Sequence, residues 1–99
     1  LVIYGSLNAE GTSSEPITIT SIKDDSVGGD TNANGSLNAP AAGDWRRILF
    51  KSGSSSTLSN MNVSYGGEGN VGALTAESGA VVQTSSITFT SNVKNSEGL

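Results

Sequence analysis

Two stretches of this chain read as the same structural sentence. Thr57-Leu58-Ser59-Asn60-Met61-Asn62-Val63-Ser64-Tyr65 and Val81-Val82-Gln83-Thr84-Ser85-Ser86-Ile87-Thr88-Phe89 superpose at an offset of 24 residues, which sets Leu58 on Val82, Val63 on Ile87 and Tyr65 on Phe89 with small polar residues between. Self-similarity at a spacing of about 20 to 50 residues is the mark of repeated units that bury one another's faces. Upstream the spacing is 26, from Ile48-Leu49-Phe50-Lys51-Ser52-Gly53 to Leu74-Thr75-Ala76-Glu77-Ser78-Gly79, and the loop Ser54-Ser55-Ser56 is expected to absorb the difference.

At 99 residues the chain is one small unit, 1–99, and its 34% hydrophobic and 5% aromatic content is thin for an ordinary sandwich core. A narrow core of stacked short strands needs only a few inward side chains per turn, and the regular Ile/Val/Phe spacing argues against disorder. The net charge of -4 disfavours nucleic acid, which selects basic faces. With no Cys and no His there is no disulfide framework, no thiol chemistry and no imidazole base. No apolar run approaches the roughly 18 residues of a membrane span. Neutral sugars, proteins and divalent cations remain as partners.

Strand signals of alternating apolar residues appear at 1–4, 6–9, 17–20, 45–50, 58–65, 74–76 and 81–89, each bounded by Gly, Ser or Asn, and no window carries a helical stripe. Pro16 opens its strand at the one place where a missing N–H is tolerated. The segment 23–44 loses the pattern and is read as an insertion loop, the first place to look for a site. Because a meander reverses at each hairpin, the repeat favours a coil of parallel strands: an all-β, right-handed parallel β-helix, or solenoid, of three to four turns with one long insertion loop. Leu7, Ile17, Ile19, Ile48, Phe50, Leu58, Val63, Tyr65, Leu74, Val82, Ile87 and Phe89 are the expected inward files, with Tyr65 one interstrand step of about 4.8 Å from Phe89. Asn60, Asn62 and Asn92 stand near corners, as amide ladders or as ordinary surface residues.

With those residues placed, the chain resembles bacterial surface and secreted proteins of the right-handed parallel β-helix class, the pectate-lyase-like superfold. The likeness is carried by Gly5-Ser6-Leu7-Asn8-Ala9-Glu10-Gly11-Thr12, Pro16-Ile17-Thr18-Ile19-Thr20-Ser21, Gly43-Asp44-Trp45 with Ile48 and Phe50, and Leu58-Ser59-Asn60 through Tyr65-Gly66-Gly67, and it spans nearly the whole chain. Arg46-Arg47 departs from it, since similar sequences carry a small residue there. The resemblance implies an extracellular or cell-surface setting in a secreted bacterial protein, and a fold that adhesins, repetitive surface proteins and polysaccharide-active enzymes share, so activity has to come from the site.

Asp30-Thr31-Asn32-Ala33-Asn34-Gly35 matches the first half of an EF-hand-like calcium loop: oxygen side chains at alternate positions converge as the backbone curls, and Gly permits the turn. The twelfth position is Ala41 rather than Glu, so Asp24, Asp25 or Asp44 must complete a Ca²⁺ site formed with Asp30, Asn32 and Asn34. An ordinary Asn/Gly/Asp-rich solvated turn is the competing reading. A lyase or glycosidase needs paired carboxylates or an acid and base on one face, and Asp44 with Arg46 or Arg47 is the only such combination near a strand; no catalytic residue is assigned. Trp45 is either a platform for a sugar or a plug beneath the long loop. Thr18, Thr20, Thr88 and Thr90 begin a rank of the ice-binding kind that the intervening turns do not continue.

The expectation is a non-catalytic extracellular structural or adhesive module, not an enzyme. It continues a long surface protein through neighbouring turns or associates with itself end to end into a filament, because both ends are expected to leave strand edges bare. The alternative is a carbohydrate-binding or polysaccharide-processing fragment, for which paired acids and exposed aromatics are scarce.

Overall fold

The computed structural model describes residues 1–27 and 39–99. Its strands are β1 (Val2–Ile3), β2 (Asn8–Glu10), β3 (Ile17–Ile19), β4 (Ile48–Phe50), β5 (Ser55–Ser64), β6 (Leu74–Ala76), β7 (Val81–Thr90) and β8 (Ser96–Glu97), with no helix among the described residues. Every pair is parallel. One sheet runs β1-β4-β6-β8; in the other, β5 is central, with β2 and β3 sharing one of its edges and β7 along the other.

These two sheets overturn the expected right-handed parallel β-helix of three to four turns, which the chain does not form. The reason lies in how little of it repeats as a unit. Only β4 with β5 and β6 with β7 match, whereas the far edge of β5 is filled by two unlike three-residue strands joined through a loop at 11–16. Successive units so unlike in strand length and in the loops between them do not set up a regular coil.

The register of the repeat also differs from expectation. β5 and β7 pair side by side and parallel, but at 26 residues: Leu58 opposes Thr84, Met61 opposes Ile87 and Val63 opposes Phe89, while Tyr65 lies beyond the strand and donates its N–H to the Thr90 carbonyl at 3.3 Å. The first sheet keeps the same step, Ile48 opposing Leu74 and Phe50 opposing Ala76. Backbone conformation confirms it, because left-handed residues recur at this spacing: Gly53 and Gly79 (φ 88° and 91°), Asn60 and Ser86 (51° and 58°), Tyr65 and Ser91 (64° and 55°). An offset of 24 places more apolar residues on apolar ones; the folded chain instead accepts Thr84 over Leu58, since that end of the file is exposed.

One apolar cluster takes residues from both sheets: Ile48, Phe50 and Leu74 from the first, Leu58, Met61 and Val63 from the second, with Ala73. Met61 and Ala73 had no place in the expected files. Leu7, Ile17, Ile19, Val82, Ile87 and Phe89 pack against the cluster but stay partly exposed. Trp45 is the plug rather than the platform: its ring packs against the cluster, its indole N–H donates to the Ser64 carbonyl at 2.8 Å, and a Cβ on Gly66 would lie 2.7 Å from the ring.

Polar contacts divide between the sheets. Lys51 and Glu77 pair at 3.0 Å and Lys94 and Glu97 at 3.4 Å along the first sheet. The Ser52 N–H, followed by Lys51, holds the Glu77 carboxyl below its ordinary value, and the Gly72 N–H does the same for Glu97. The second sheet is held by neutral groups. Asn60 donates to the Gly11 carbonyl, and Asn92 accepts from the Gly66 N–H and donates to the Val63 carbonyl, so these two amides bind backbone rather than stacking in a ladder.

Candidate functional site

The most distinctive surface is the free edge of β7 together with the groove beside its kink. β7 is ten residues long, carries no charged side chain and no Pro, and among the described residues pairs with a strand on one side only. The devices that usually blunt such an edge are charge, proline and short length, and β7 has none of them. Bulges also serve this purpose, and Ser86 kinks the strand at its middle without shortening it.

The directions of its backbone groups follow from two hydrogen bonds. Val81 donates its N–H to the Ser54 carbonyl at 2.9 Å, so Val81, Gln83 and Ser85 turn toward β5 while Val82 and Thr84 turn away. At the other end the Thr90 carbonyl accepts from Tyr65, so Thr90 and Thr88 face β5 while Ile87 and Phe89 turn away. Ser86, left-handed at φ 58°, switches the phase between the halves. Register with the buried Leu58, Met61 and Val63 places the side chains of Thr84, Ile87 and Phe89 on the core face, and Val82 joins them opposite buried Ser56. The four residues with outward backbone groups are thus also the four facing the core side.

On the opposite face the kink opens a groove of about 260 Å³ bordered by Thr12, Ser13, Asn60, Asn62, Ser86 and Thr88. Its lining offers hydroxyls and amides beside apolar Pro16 and Met61, with no aromatic ring to stack on a sugar and no pair of carboxylates to cleave one.

The expected calcium residues fare differently. Asp30, Asn32 and Asn34 lie outside the described residues, as do positions 35–38 of the second Gly-Ser-Leu-Asn-Ala copy. Asp24 accepts from the Thr20 hydroxyl at 2.7 Å and from the Ser26 hydroxyl and N–H; these bonds, the Ser26 hydroxyl foremost, hold its carboxyl below the ordinary value. Asp44 accepts from the Ser21 hydroxyl at 2.6 Å and the Ala41 N–H at 3.1 Å, has Lys23 at 3.8 Å, and is likewise lowered, chiefly by Ser21. Asp25 keeps one buried oxygen without a partner among the described residues. Among the described residues no three of His, Cys, Asp and Glu converge as metal ligands. The pairing of Asp44 with Lys23 leaves the imagined acid and base couple with Arg46 or Arg47 without geometry of its own.

Sequence reasoning expected bare strand edges at the two ends but singled out neither Ser86 nor the outer edge of β7. The signal was present in the 26-residue spacing already visible upstream: continued downstream, it aligns Asn60 with Ser86 and Gly53 with Gly79. Compared with known proteins, the chain matches no family model, no curated relative and no solved structure. No described helix is long and apolar enough to cross a membrane.

Proposed function

We propose that this chain is a non-catalytic, extracellular structural or adhesive module that joins other polypeptide at an open strand edge. The observation that carries this reading is β7: ten residues without charge or proline, with no described strand on its outer side, and with Val82, Ile87 and Phe89 only half covered. An added strand would satisfy the outward backbone groups and extend the apolar file, gaining hydrogen bonds and burial together. The neutral groove and the self-satisfied Asp24 and Asp44 support binding over turnover, because neither presents a free acid and base pair.

Sedimentation velocity from micromolar to millimolar protein tests the reading. Reversible, concentration-dependent association is expected. Thr84→Lys puts a charge on the core-facing side of the edge, the natural way to block strand addition, and weakens association roughly tenfold or more. Trp45 fluorescence and thermal unfolding, both measured below the association range, should stay unchanged. A wild-type protein that sediments as a monomer throughout refutes the proposal.

A further inference from the structure

Resting on that reading, the geometry points to a particular occupant for the edge: we propose that β7 pairs antiparallel with β7 of a second copy of this chain, about a two-fold axis through its Ser85-Ser86 midpoint. The argument begins with the pattern around the kink. Core-facing side chains and outward-turned backbone groups coincide at Val82, Thr84, Ile87 and Phe89, two before Ser86 and two after it. That set is symmetric about the bond between Ser85 and Ser86.

One antiparallel register maps all four positions onto one another, setting Val82 against the second copy's Phe89 and Thr84 against its Ile87. In this register each of those pairs exchanges backbone hydrogen bonds, because both members turn N–H and C=O outward, and each places both side chains on the core face. Shifting by one residue sends outward groups against groups already engaged with β5 and sets core-facing against outer-facing side chains. Larger shifts that restore the faces leave at least half of the four unpaired.

The kink agrees. Ser86 of one copy lies opposite Ser85 of the other, so both strands bend at the axis and the sheet can continue across it, just as the kinks at Asn60 and Ser86 lie side by side between β5 and β7. Charge does not oppose the approach. The chain carries -4, but no residue of β7 contributes to it, so two copies meet along neutral strands. Such a contact is isologous and closes at a dimer, in contrast to open stacking end to end.

The absence of native cysteine makes the register readable. Gln83 and Thr88 are exposed on the outer face and turn their backbone toward β5, so in the proposed register they form a non-hydrogen-bonded pair, with Cα atoms about 4.5 Å apart, within disulfide reach. Gln83→Cys and Thr88→Cys are prepared separately, then oxidised with oxidised glutathione alone and as an equimolar mixture. Each disulfide formed takes two thiol protons and two electrons to the oxidant. Cross-linked dimer is expected in the mixture and at least fivefold less in either variant alone, with far-ultraviolet circular dichroism and Trp45 fluorescence as in the parent. Cross-linking of either variant with itself, or none in the mixture while sedimentation still shows association, overturns the register and leaves edge association standing. A parent that remains monomeric in sedimentation overturns both.

Discussion

β5 and β7 are ten-residue strands with the same kink at the same place, yet one is the centre of its sheet and the other its margin. Leu58, Met61 and Val63 of β5 are at most 1% exposed, whereas the β7 residues opposite them, Thr84, Ile87 and Phe89, are exposed or half-buried. Identical backbone form therefore does not fix the energetic role. A strand with neighbours on both edges has its side chains packed on every side, and a marginal strand leaves part of each one in water, where truncation opens no cavity.

The largest contrast is expected from truncating one opposed pair. Met61→Ala should cost about 3 kcal/mol of unfolding free energy and Ile87→Ala about 1 kcal/mol, since the first leaves a cavity and the second only loses partial burial. Urea denaturation measured below the association range checks this, and equal costs would mean that β7 is covered in solution. The next effect is smaller and appears in only one of the two strands. Ser86→Gly removes a left-handed strain that brings no side-chain hydrogen bond inside the sheet, and should stabilise by about 0.5–1 kcal/mol. Asn60→Gly relieves the same strain but loses the 3.1 Å bond from its amide to the Gly11 carbonyl, and should show no gain.

Ser54, just before β5, is 1% exposed and its hydroxyl has no partner among the described residues, while Ala80 occupies the equivalent place before β7. Both donate their N–H to the carbonyl three residues back, Ser54 to Lys51 and Ala80 to Glu77. Ser54→Ala, which copies the β7 residue into the β5 context, should raise stability by about 0.5–1 kcal/mol, read as a higher melting temperature, because it removes a buried unsatisfied hydroxyl. A lower melting temperature would show that the hydroxyl has a partner in solution.

Between pH 7 and 5 no change is expected. Asp24, Asp44, Glu77 and Glu97 all have folded values below their unfolded ones of 3.8 and 4.5, so the stability they contribute is present above those values and is lost as pH falls through the lowered ones. The melting temperature should hold to about pH 5 and decline below about pH 4. Association through β7, which carries no titratable group, should not follow that decline while the fold persists. A dimer that dissociates between pH 7 and 5 would place the interface elsewhere.

Much of this was legible in the residues themselves. Alternation marked the strands, the bounding Gly and Ser marked their ends, the missing helical stripe excluded crossover helices, and the repeat implied two matched strands side by side. The candidate edge was less legible, because its two defining properties, the phase switch at Ser86 and the absence of a described strand beyond β7, are not properties of the ten residues. An offset of 24 matches side chains by hydrophobicity, but pairing is decided by backbone hydrogen bonds and turn lengths. Those selected 26, at the cost of setting Thr84 beside Leu58.

The sequence by itself determined that this protein is built of short parallel-paired strands, with a neutral hydroxyl-rich surface along its repeat and no imidazole or thiol for chemistry. Only the tertiary structure decided that these strands make two sheets rather than a coil of three to four turns, that Met61 is core and Tyr65 is not in file with Phe89, and that β7 is left with a free edge. The physical reason is the same in each case. Local pattern fixes which face of a strand is apolar, whereas the number of neighbours a strand acquires depends on how distant segments compete for its edges, and here two unlike pieces, β2 and β3, took one edge of β5 while no described strand took the outer edge of β7.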